Sequence, residues 1–296
     1  MIEENILLQP GTLWESVKKT TEHALECGAL QSIPTNFEFV EDGGVNFLVR
    51  ILANLDRKKA DKEEQKQKTA ATGKEFNPFL PYEQDLFVAD ISKTHVCILN
   101  KFNVVDYHLL IITRAFEEQE SLLTLADFAA MWACLADFDG LVFYNGGKLA
   151  GASQRHKHLQ IIPLPLTPDG VNVPIAPLFN DAKENQIPGL PFLHAFTTLN
   201  LEEDAEVTLE KYRTLLDKVG IKEIENYQQS GAYNLLATRN WMLIVPRALE
   251  KFAAISINSL GFAGCLLVRN DEQMQQIKEV GAMNVLKAVA VTKEEF

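Results

Sequence analysis

The sequence predicts an α+β fold, in which an antiparallel sheet with flanking helices is assembled from two related halves. Apolar runs of strand length come in closely spaced pairs, as β-hairpins require, and the longer amphipathic stretches typical of helices stand apart from them. The apolar hairpin at 97–114 is echoed at 233–247, and both copies end in an arginine. With 47% hydrophobic side chains, the 296 residues suffice for one large core or two packed halves.

The first half, residues 1–165, begins with a helix that the capping box Thr12-Leu-Trp-Glu15 predicts from residue 13 onward. Thr124-Leu-Ala-Asp127 predicts a second amphipathic helix in the same way. Two acids followed by two glycines at 41–44 indicate a hairpin turn. The polar stretch 57–68 is typical of a solvated loop. The strands predicted in this half are 37–40, 46–52, 95–100, 107–113 and 141–144.

The second half, residues 166–296, follows a proline-rich stretch at 164–191 that we interpret as a connector between the halves. Beyond it, the periodicity of apolar residues predicts one helix near 205–219 and a final helix that begins at Asp271. The strands predicted in this half are 233–237, 241–246 and 264–269.

The charge balance argues against polyanionic partners. The chain has 28 Lys and Arg against 40 Asp and Glu, a net charge of −12, so we expect no nucleic acid and no membrane as partner. A small phosphorylated ligand needs only a local cluster of donors and stays compatible with this charge. The N-terminus lacks the long apolar segment of a secretory signal. The cysteines form no Cys-x-x-Cys pair and are expected as buried free thiols in the reducing cytoplasm; they are Cys27, Cys97, Cys134 and Cys265.

One segment, 143–165, combines residues that carry chemistry. Its glycines at 146, 147 and 151 form a loop of small residues whose backbone N–H groups a phosphate can approach. His156-Lys-His-Leu-Gln160 follows directly. In a strand, the period of two places His156, His158 and Gln160 on one face, whereas Lys157 faces the other way. Polar groups in this pattern, beside a phosphate-accepting loop, indicate a site rather than a core.

These residue types suit nucleophilic attack on phosphorus. A neutral imidazole is a good nucleophile at pH 7, and its bond to phosphorus is labile enough to turn over. The attacking ring must be held in one tautomer by an acceptor at its other nitrogen. The amide of Gln160 can donate to a phosphoryl oxygen, and Ser153 can share the charge that develops in the transition state.

Other interpretations of the same residues stay open. Alternating histidines also serve as metal ligands, although no third strong ligand is close in sequence, and they also occur as structural residues. Lys157 fits a solvated charge as well as it fits a functional one. His108 precedes an apolar strand and is interpreted as a supporting or core histidine rather than a catalyst.

The run Asn145-x-Gly147-x-x-x-Gly151-x-Ser153-x-x-His156-x-His158-x-Gln160 resembles the active-site signature of the transferase branch of the histidine triad superfamily. Hydrolases of the superfamily carry a third histidine where this chain has Gln160. The uridylyltransferases of this branch have proline where this chain has Lys157, and they carry zinc-binding cysteines without a counterpart here. GASQRHKHLQ, with the flanking motifs at 77–79, 99–101 and 258–264, is most similar to the diadenosine tetraphosphate phosphorylases, or ATP adenylyltransferases.

The resemblance implies a histidine-triad-like sheet and a reversible phosphorolysis of diadenosine tetraphosphate to ADP and ATP through an adenylyl-histidine. It assigns catalysis to His158, as nucleophile, with Gln160 and His156, and lets the second half of the chain complete the nucleotide site. The residues to which it assigns substrate contacts are Lys58, Asn100, Lys101, Asn145, Gly147, Gly151, Ala152, Ser153, Gln154, Asn258, Ser259, Leu260, Cys265 and Arg269.

The expected partners are small nucleotides and inorganic phosphate. No metal site and no required cofactor is expected, and a divalent cation is expected at most as a companion of the nucleotide. Exchange with sulfate, as in an ADP-sulfurylase, is compatible with the same site. The alternatives are uridylyl or guanylyl transfer to a sugar phosphate, a nucleotide-binding sensor without turnover, and a metal-dependent hydrolase.

Overall fold

The structure is a computed structural model that describes residues 6–52, 76–183 and 185–293. These residues form an eight-stranded sheet, a three-stranded sheet, a short two-stranded ribbon and six α-helices. The strands are β1 Thr35–Asp42, β2 Val45–Leu52, β3 Phe87–Asp90, β4 His95–Leu99, β5 Leu109–Thr113, β6 Gly140–Gly146, β7 His158–Pro163, β8 Ala195–Thr198, β9 Tyr233–Ala237, β10 Trp241–Pro246, β11 Lys251–Phe252, β12 Ile255–Ser256 and β13 Cys265–Val268. The helices are α1 Leu13–Glu26, α2 Leu125–Asp137, α3 Ala205–Lys218, α4 Ser259–Phe262, α5 Asp271–Val280 and α6 Ala282–Val289.

The eight-stranded sheet is antiparallel throughout, with the strand order β3-β4-β5-β7-β6-β9-β10-β8. It confirms the predicted α+β class. The echoed hairpins are β4–β5 and β9–β10, and an arginine follows each, Arg114 and Arg247. The halves meet where β6 pairs with β9. The smaller sheet, β1-β2-β13, also combines strands from both sides of residue 165, so the division at 165/166 stays a prediction about the halves of the chain.

One face of the large sheet, the helical face, packs against α1, α2 and α3. Side chains alternate along a strand, so Cys97, Ile111 and Leu159 point to this face and join one buried cluster with Leu13 and Phe128 of the helices. Nearly every member of the cluster is inaccessible to solvent. This core makes the centre of the sheet a rigid support for the residues on its other face.

The opposite face of the large sheet, the site face, carries two separate apolar clusters. Over β6, β9 and β10 it is covered by the small sheet and α4–α6, where Phe143 and Leu236 pack with Phe47 and Phe262 in a second core. Over β4 and β5 it carries a smaller cluster against which Phe79 packs. Strand β7 lies between these two parts. His158 and Gln160 therefore face the boundary between two apolar layers.

The N-termini of α1 and α2, both predicted from capping boxes, are capped in different ways. Helix α1 begins at residue 13 as predicted, but the capping box at Thr12 is wrong. The Asp137 carboxylate accepts the N–H groups of Gly11 and Leu13 at 2.7 and 2.6 Å, so a distant acid replaces the local cap. At α2 the predicted box forms, and Asp127 accepts the Thr124 N–H at 2.7 Å.

Three further expectations are corrected. The strand of the two histidines begins at His158, because His156 makes only an isolated bridge to Glu118. The final helix is two helices, α5 and α6, since Gly281 between them has a φ of 89°. Cys27 is exposed rather than buried, and Cys265 is half-buried. In the described ranges, no helix is long and apolar enough to cross a lipid bilayer.

Candidate active site

His158 is held in one tautomer. Its Nδ1 lies 2.8 Å from the carbonyl oxygen of His156, which can only accept, so Nδ1 carries the proton. Nε2 therefore has a free lone pair, and none of the described residues donates a hydrogen bond to it. The Phe79 ring stands edge-on at 5.3 Å from the imidazole, and the side chain is 4% exposed. A neutral imidazole with one unbonded, fixed nitrogen is the form that a phosphorus nucleophile requires.

Burial lowers the pKa of His158 to about 4, and neighbouring His156 adds to the lowering, although the hydrogen bond to the His156 carbonyl opposes it. We expect the imidazole to stay neutral down to about pH 4, so the nucleophile is lost on acidification well below the usual histidine range. Histidine NMR titration measures this, with His158→Asn to assign the resonance. A His158 resonance that titrates near pH 6.5 in the substrate-free protein would contradict the burial argument.

His156 has both ring nitrogens occupied. Nε2 lies 2.8 Å from the Thr113 carbonyl oxygen, to which it donates, and Nδ1 accepts from the Asn77 side-chain amide at 3.0 Å. Burial lowers the pKa of this ring from 6.5. The His156 imidazole therefore has no free nitrogen, while its carbonyl oxygen fixes the proton on His158 Nδ1.

Gln160 is the last member of a chain of hydrogen bonds that runs from Asn100 through His108. The Asn100 side-chain amide donates to His108 Nδ1 at 3.2 Å, so the proton of this imidazole sits on Nε2. That Nε2 donates to Gln160 Oε1 at 2.9 Å. The Gln160 NH₂ group is thereby turned away from His108 and left to donate. His108 is thus the supporting histidine that the sequence predicted, and Asn100 is connected to the site through it.

Asn145 lies across from His158. Strand β6 pairs with β7 up to Phe143 opposite Gln160, and the same register places Asn145 opposite His158 on the site face. Its Oδ1 accepts from the Asn234 amide at 2.9 Å and from the Ser259 hydroxyl at 2.8 Å. Its Nδ2 has no protein partner in the described ranges. The Asn145 oxygen therefore joins β6 to the start of α4, and its NH₂ group remains as a donor.

A buried arginine reinforces the same junction. Arg247 donates to Asn234 Oδ1 at 2.6 Å and to the Ile257 carbonyl oxygen at 2.9 Å. Burial lowers the pKa of Arg247 to about 10, which leaves the guanidinium charged at neutral pH. These bonds connect the end of β10 to β9 and to the segment before α4.

The glycine loop is more closed than its sequence indicates. The N–H groups of Ala150, Gly151 and Ala152 already donate to carbonyls of the loop itself. We therefore expect phosphate contacts from Ser153 and Gln154, whose N–H groups, like the Ser153 hydroxyl, have no acceptor among the described residues. Gly151 has a φ of +90°, and a Cβ on it would lie 2.9 Å from the Ile257 carbonyl oxygen. Glycine there lets the loop touch the segment before α4.

The other predicted substrate residues divide into those with partners elsewhere and those that adjoin this group. Lys101 forms an ion pair with Glu83 at 2.9 Å, and the Arg269 N–H donates to Gln273. Cys265 lies on β13, where burial raises the pKa of its thiol to about 12. Asn258 caps α4 by accepting the Leu260 N–H, and it lies against Gly151. The Gly147 N–H donates to the Asn145 carbonyl oxygen at 2.9 Å. Lys58 lies outside the described residues.

The described residues also enclose a cavity of about 620 Å³. The loop 103–107, the segment 163–168 and Arg50 line it. Tyr107 in its wall directly precedes His108 in the sequence, but none of Asn100, His108 and Gln160 is among the residues that line the cavity.

An ion-pair network lies behind His158, on the helical face. Lys157 is 1% exposed, and its ammonium donates to Asp127 at 2.7 Å, to Glu117 at 3.2 Å and to the Leu122 carbonyl oxygen at 3.1 Å. His95 Nε2 lies 3.1 Å from the same Asp127 carboxylate. The interpretation of Lys157 as a solvated charge is therefore wrong. Sequence alternation gave its direction, but its partners lie 30 or more positions away.

Two family models match the chain. A model described as the Ap4A phosphorylase N-terminal domain matches residues 3–181, and one described as the ATP adenylyltransferase C-terminal domain matches residues 188–292. Here Ap4A is diadenosine tetraphosphate.

Two proteins of Saccharomyces cerevisiae are similar in sequence. Diadenosine 5',5'''-P1,P4-tetraphosphate phosphorylase 2 is 28% identical over 237 residues, which are 69% of this chain and 72% of that protein. Protein APA1 is 28% identical over 220 residues, which are 64% of this chain and 65% of that protein.

The fold is similar to that of solved structures. The crystal structure of yeast Ap4A phosphorylase Apa2 has a TM-score of 0.78 and 24% identity, covering 99% of this chain and 96% of that one. The crystal structure of the same yeast protein in complex with Ap4A matches with the same score and identity and covers 99% of both chains. The first family model alone spans more than half of the sequence, and the resemblance inferred from the histidine motif is confirmed: the chain belongs to the family of Ap4A phosphorylases, or ATP adenylyltransferases.

Proposed function

We propose that this chain phosphorolyses Ap4A reversibly to ADP and ATP through an adenylyl group carried on His158. The observation that carries the proposal is the state of that imidazole: Nδ1–H is bound to the His156 carbonyl, and Nε2 is unbonded on the site face. The names of the family and of the yeast relatives supply the substrate. The geometry supplies a nucleophile of the kind that such a reaction needs.

The reaction is two in-line displacements. In the first, the His158 Nε2 lone pair forms a bond to the α-phosphorus of one adenylyl unit while the bond to the bridging oxygen breaks, and ATP leaves. In the second, an oxygen of inorganic phosphate attacks the same phosphorus, the P–N bond breaks, and ADP is released. The two inversions together retain the configuration at phosphorus.

Donors at the site match the charge that develops at phosphorus. The NH₂ groups of Gln160 and Asn145 are held toward the site face because their oxygens are already bonded to protein. We propose that Gln160 binds an α-phosphate oxygen, with Asn145 and the Ser153–Gln154 amides on the neighbouring phosphates. The remaining proposed contacts follow the family motif only; they are Lys58, Asn100, Lys101, Gly147, Gly151, Ala152, Asn258, Ser259, Leu260, Cys265 and Arg269.

Gln160 also affects whether phosphate or water accepts the adenylyl group. The hydrolases of the superfamily carry a third histidine at this position, which can transfer protons to and from water. An amide cannot act as a general base, so the adenylyl-histidine is expected to persist until phosphate arrives. This accounts for phosphorolysis rather than hydrolysis in the proposal.

The proposed reaction needs no redox or organic cofactor, because the nucleophile and the donors are side chains. A divalent cation would accompany the polyphosphate and not belong to the protein. The proposed partners are nucleotides and phosphate. The proposed compartment is the cytoplasm, and the four cysteines, which are free in the structure, are compatible with it.

Labelling tests the proposal directly. Incubation with α-labelled ADP or labelled Ap4A should place acid-labile label on the protein, and added phosphate should release it as ADP. α-Labelled UDP and GDP, offered in parallel, separate adenylyl transfer from uridylyl or guanylyl transfer to a sugar phosphate. Ap4A turnover without any labelled protein in the quenched reaction would refute the covalent mechanism, and nucleotide binding without turnover would indicate a sensor.

A further inference from the structure

The strands that carry the nucleophile and its opposite residue separate at the site. Strands β6 and β7 pair from Gly140 opposite Pro163 to Phe143 opposite Gln160, and the pairing then stops. If the same register continued, Asn145 would face His158 two residues beyond the last pair. Their peptide groups point into a buried gap where the ladder offers no partner, and buried peptide groups need partners.

The side chain of Gln119 fills this gap. Its Oε1 accepts the His158 N–H at 2.8 Å, and its Nε2 donates to the Asn145 carbonyl oxygen at 3.0 Å and to the His158 carbonyl oxygen at 3.2 Å. One amide thus makes three hydrogen bonds where a facing pair of an antiparallel ladder would exchange two, at the two residues that face the reacting phosphate. Gln119 is only 2% exposed, so water does not compete for these bonds.

Gln119 is itself fixed from two sides. The backbone N–H of Gln119 donates to the Arg155 carbonyl oxygen at 2.6 Å, and the backbone carbonyl oxygen of Gln119 accepts from the Tyr144 hydroxyl. Tyr144 is fully buried in the core of the helical face. The amide is therefore an extension of the rigid core and not a mobile side chain that happens to reach the strand.

We propose that Gln119 is a positioning residue for the nucleophile, which sets the separation between His158 on β7 and Asn145 on β6. The inference rests on the proposed function. Both displacements use the same line through phosphorus, so a shift of the His158 backbone by a fraction of an ångström slows the formation and the breakdown of the adenylyl-histidine alike. Gln119 touches neither the substrate nor the imidazole, and its effect is on rate more than on nucleotide affinity.

Gln119→Leu tests this, because leucine fills the space without any of the three hydrogen bonds. The expected result is a rate of adenylyl-His158 formation lower by about 10- to 100-fold in single-turnover experiments, with KM changed by less than about threefold. The matched control is Gln186→Leu, which removes another side-chain amide that donates to a main-chain carbonyl, that of His194 at 2.6 Å. The control is expected to lose stability but to keep kcat.

Gln119→Glu provides a readout that a purely structural role would not move. A protonated carboxyl can accept from the His158 N–H and donate to a carbonyl, whereas the buried carboxylate can only accept and repels both carbonyl oxygens. The kcat of the folded variant, relative to the unmodified protein, should therefore rise as the pH falls from 8 to 5.5. A ratio that stays flat would assign Gln119 to stability alone.

The outcomes separate the two proposals. If the unmodified protein forms no adduct, the proposed function fails and Gln119 is not at issue. If the unmodified protein forms the adduct and folded Gln119→Leu forms it within threefold of the same rate, the positioning role is overturned. Failure of both Gln119 variants to fold at every pH would also overturn it, since the residue would then serve folding. Circular dichroism and urea unfolding decide which case applies.

Discussion

Replacement of His158 by alanine is expected to abolish the adenylyl-enzyme and to lower Ap4A phosphorolysis by about 10⁴-fold or more. The variant loses the lone pair that attacks phosphorus, and no other described side chain can supply it from the same place. His156 is the nearest imidazole in sequence, but both of its nitrogens are bonded to Thr113 and Asn77. Rapid-quench labelling measures the adduct, and chromatography of ADP measures turnover.

A glycine variant separates loss of the nucleophile from damage to the site. His158→Gly leaves a space of imidazole size, so adenosine 5'-phosphoroimidazolide, a preformed mimic of the intermediate, should react with phosphate there to give ADP.

Gln160→Ala provides the graded comparison, with transfer slowed by roughly 10- to 1000-fold if its NH₂ group stabilises the transition state. Normal turnover by His158→Ala would refute the mechanism.

The part of the site that the sequence predicted is the part encoded locally. Strand alternation placed His158 and Gln160 on one face, and the structure has them there. The same alternation sent Lys157 to the other face. Residue type and spacing within ten positions carry this information, and the β4–β5 and β9–β10 hairpins were predicted for the same reason.

The rest depends on contacts between distant positions. Gln119 lies 39 positions before the nucleophile whose backbone it holds, and Asp127 lies 30 before Lys157. Neither has a periodic pattern or a motif around it that indicates its partner. The cap of α1 failed as a prediction for the same reason, because Asp137, more than 120 positions away, displaces the local capping box. Nothing in the local sequence distinguishes Gln119, because its burial becomes visible only in the folded chain.

The buried pair Lys157–Asp127 is expected to have the largest effect on stability. Lys157→Met leaves the Asp127 carboxylate, 1% exposed, without its ammonium partner, and an unpaired buried charge costs about 3–5 kcal/mol. Asp127→Asn leaves the ammonium uncompensated, apart from Glu117, and also weakens the bond from His95. Urea unfolding followed by circular dichroism gives the free energy of unfolding of each variant.

The double variant Lys157→Met/Asp127→Asn is the control, because it leaves neither of the paired charges buried. Its loss of stability is expected to be smaller than the sum of the two single losses, which isolates the ion pair from the effects of packing. Additive losses, or single losses below about 1 kcal/mol, would show that the pair contributes little at this depth.

The pH dependence of stability shows whether the ionised Asp127 carboxylate stabilises the fold. Burial alone would raise the pKa of Asp127, but the Lys157 ammonium and His95 outweigh it and hold that pKa below its ordinary value. A depressed pKa contributes stability above the unfolded-state value, about 3.9, and the contribution is lost as the pH falls through the folded-state pKa. The stability gap between the unmodified protein and Asp127→Asn should therefore stay constant from pH 8 to 5 and narrow below about pH 4. A gap that widens on acidification would mean that the carboxyl group is protonated in the folded protein, and the network behind His158 would then be a neutral hydrogen-bonded cluster.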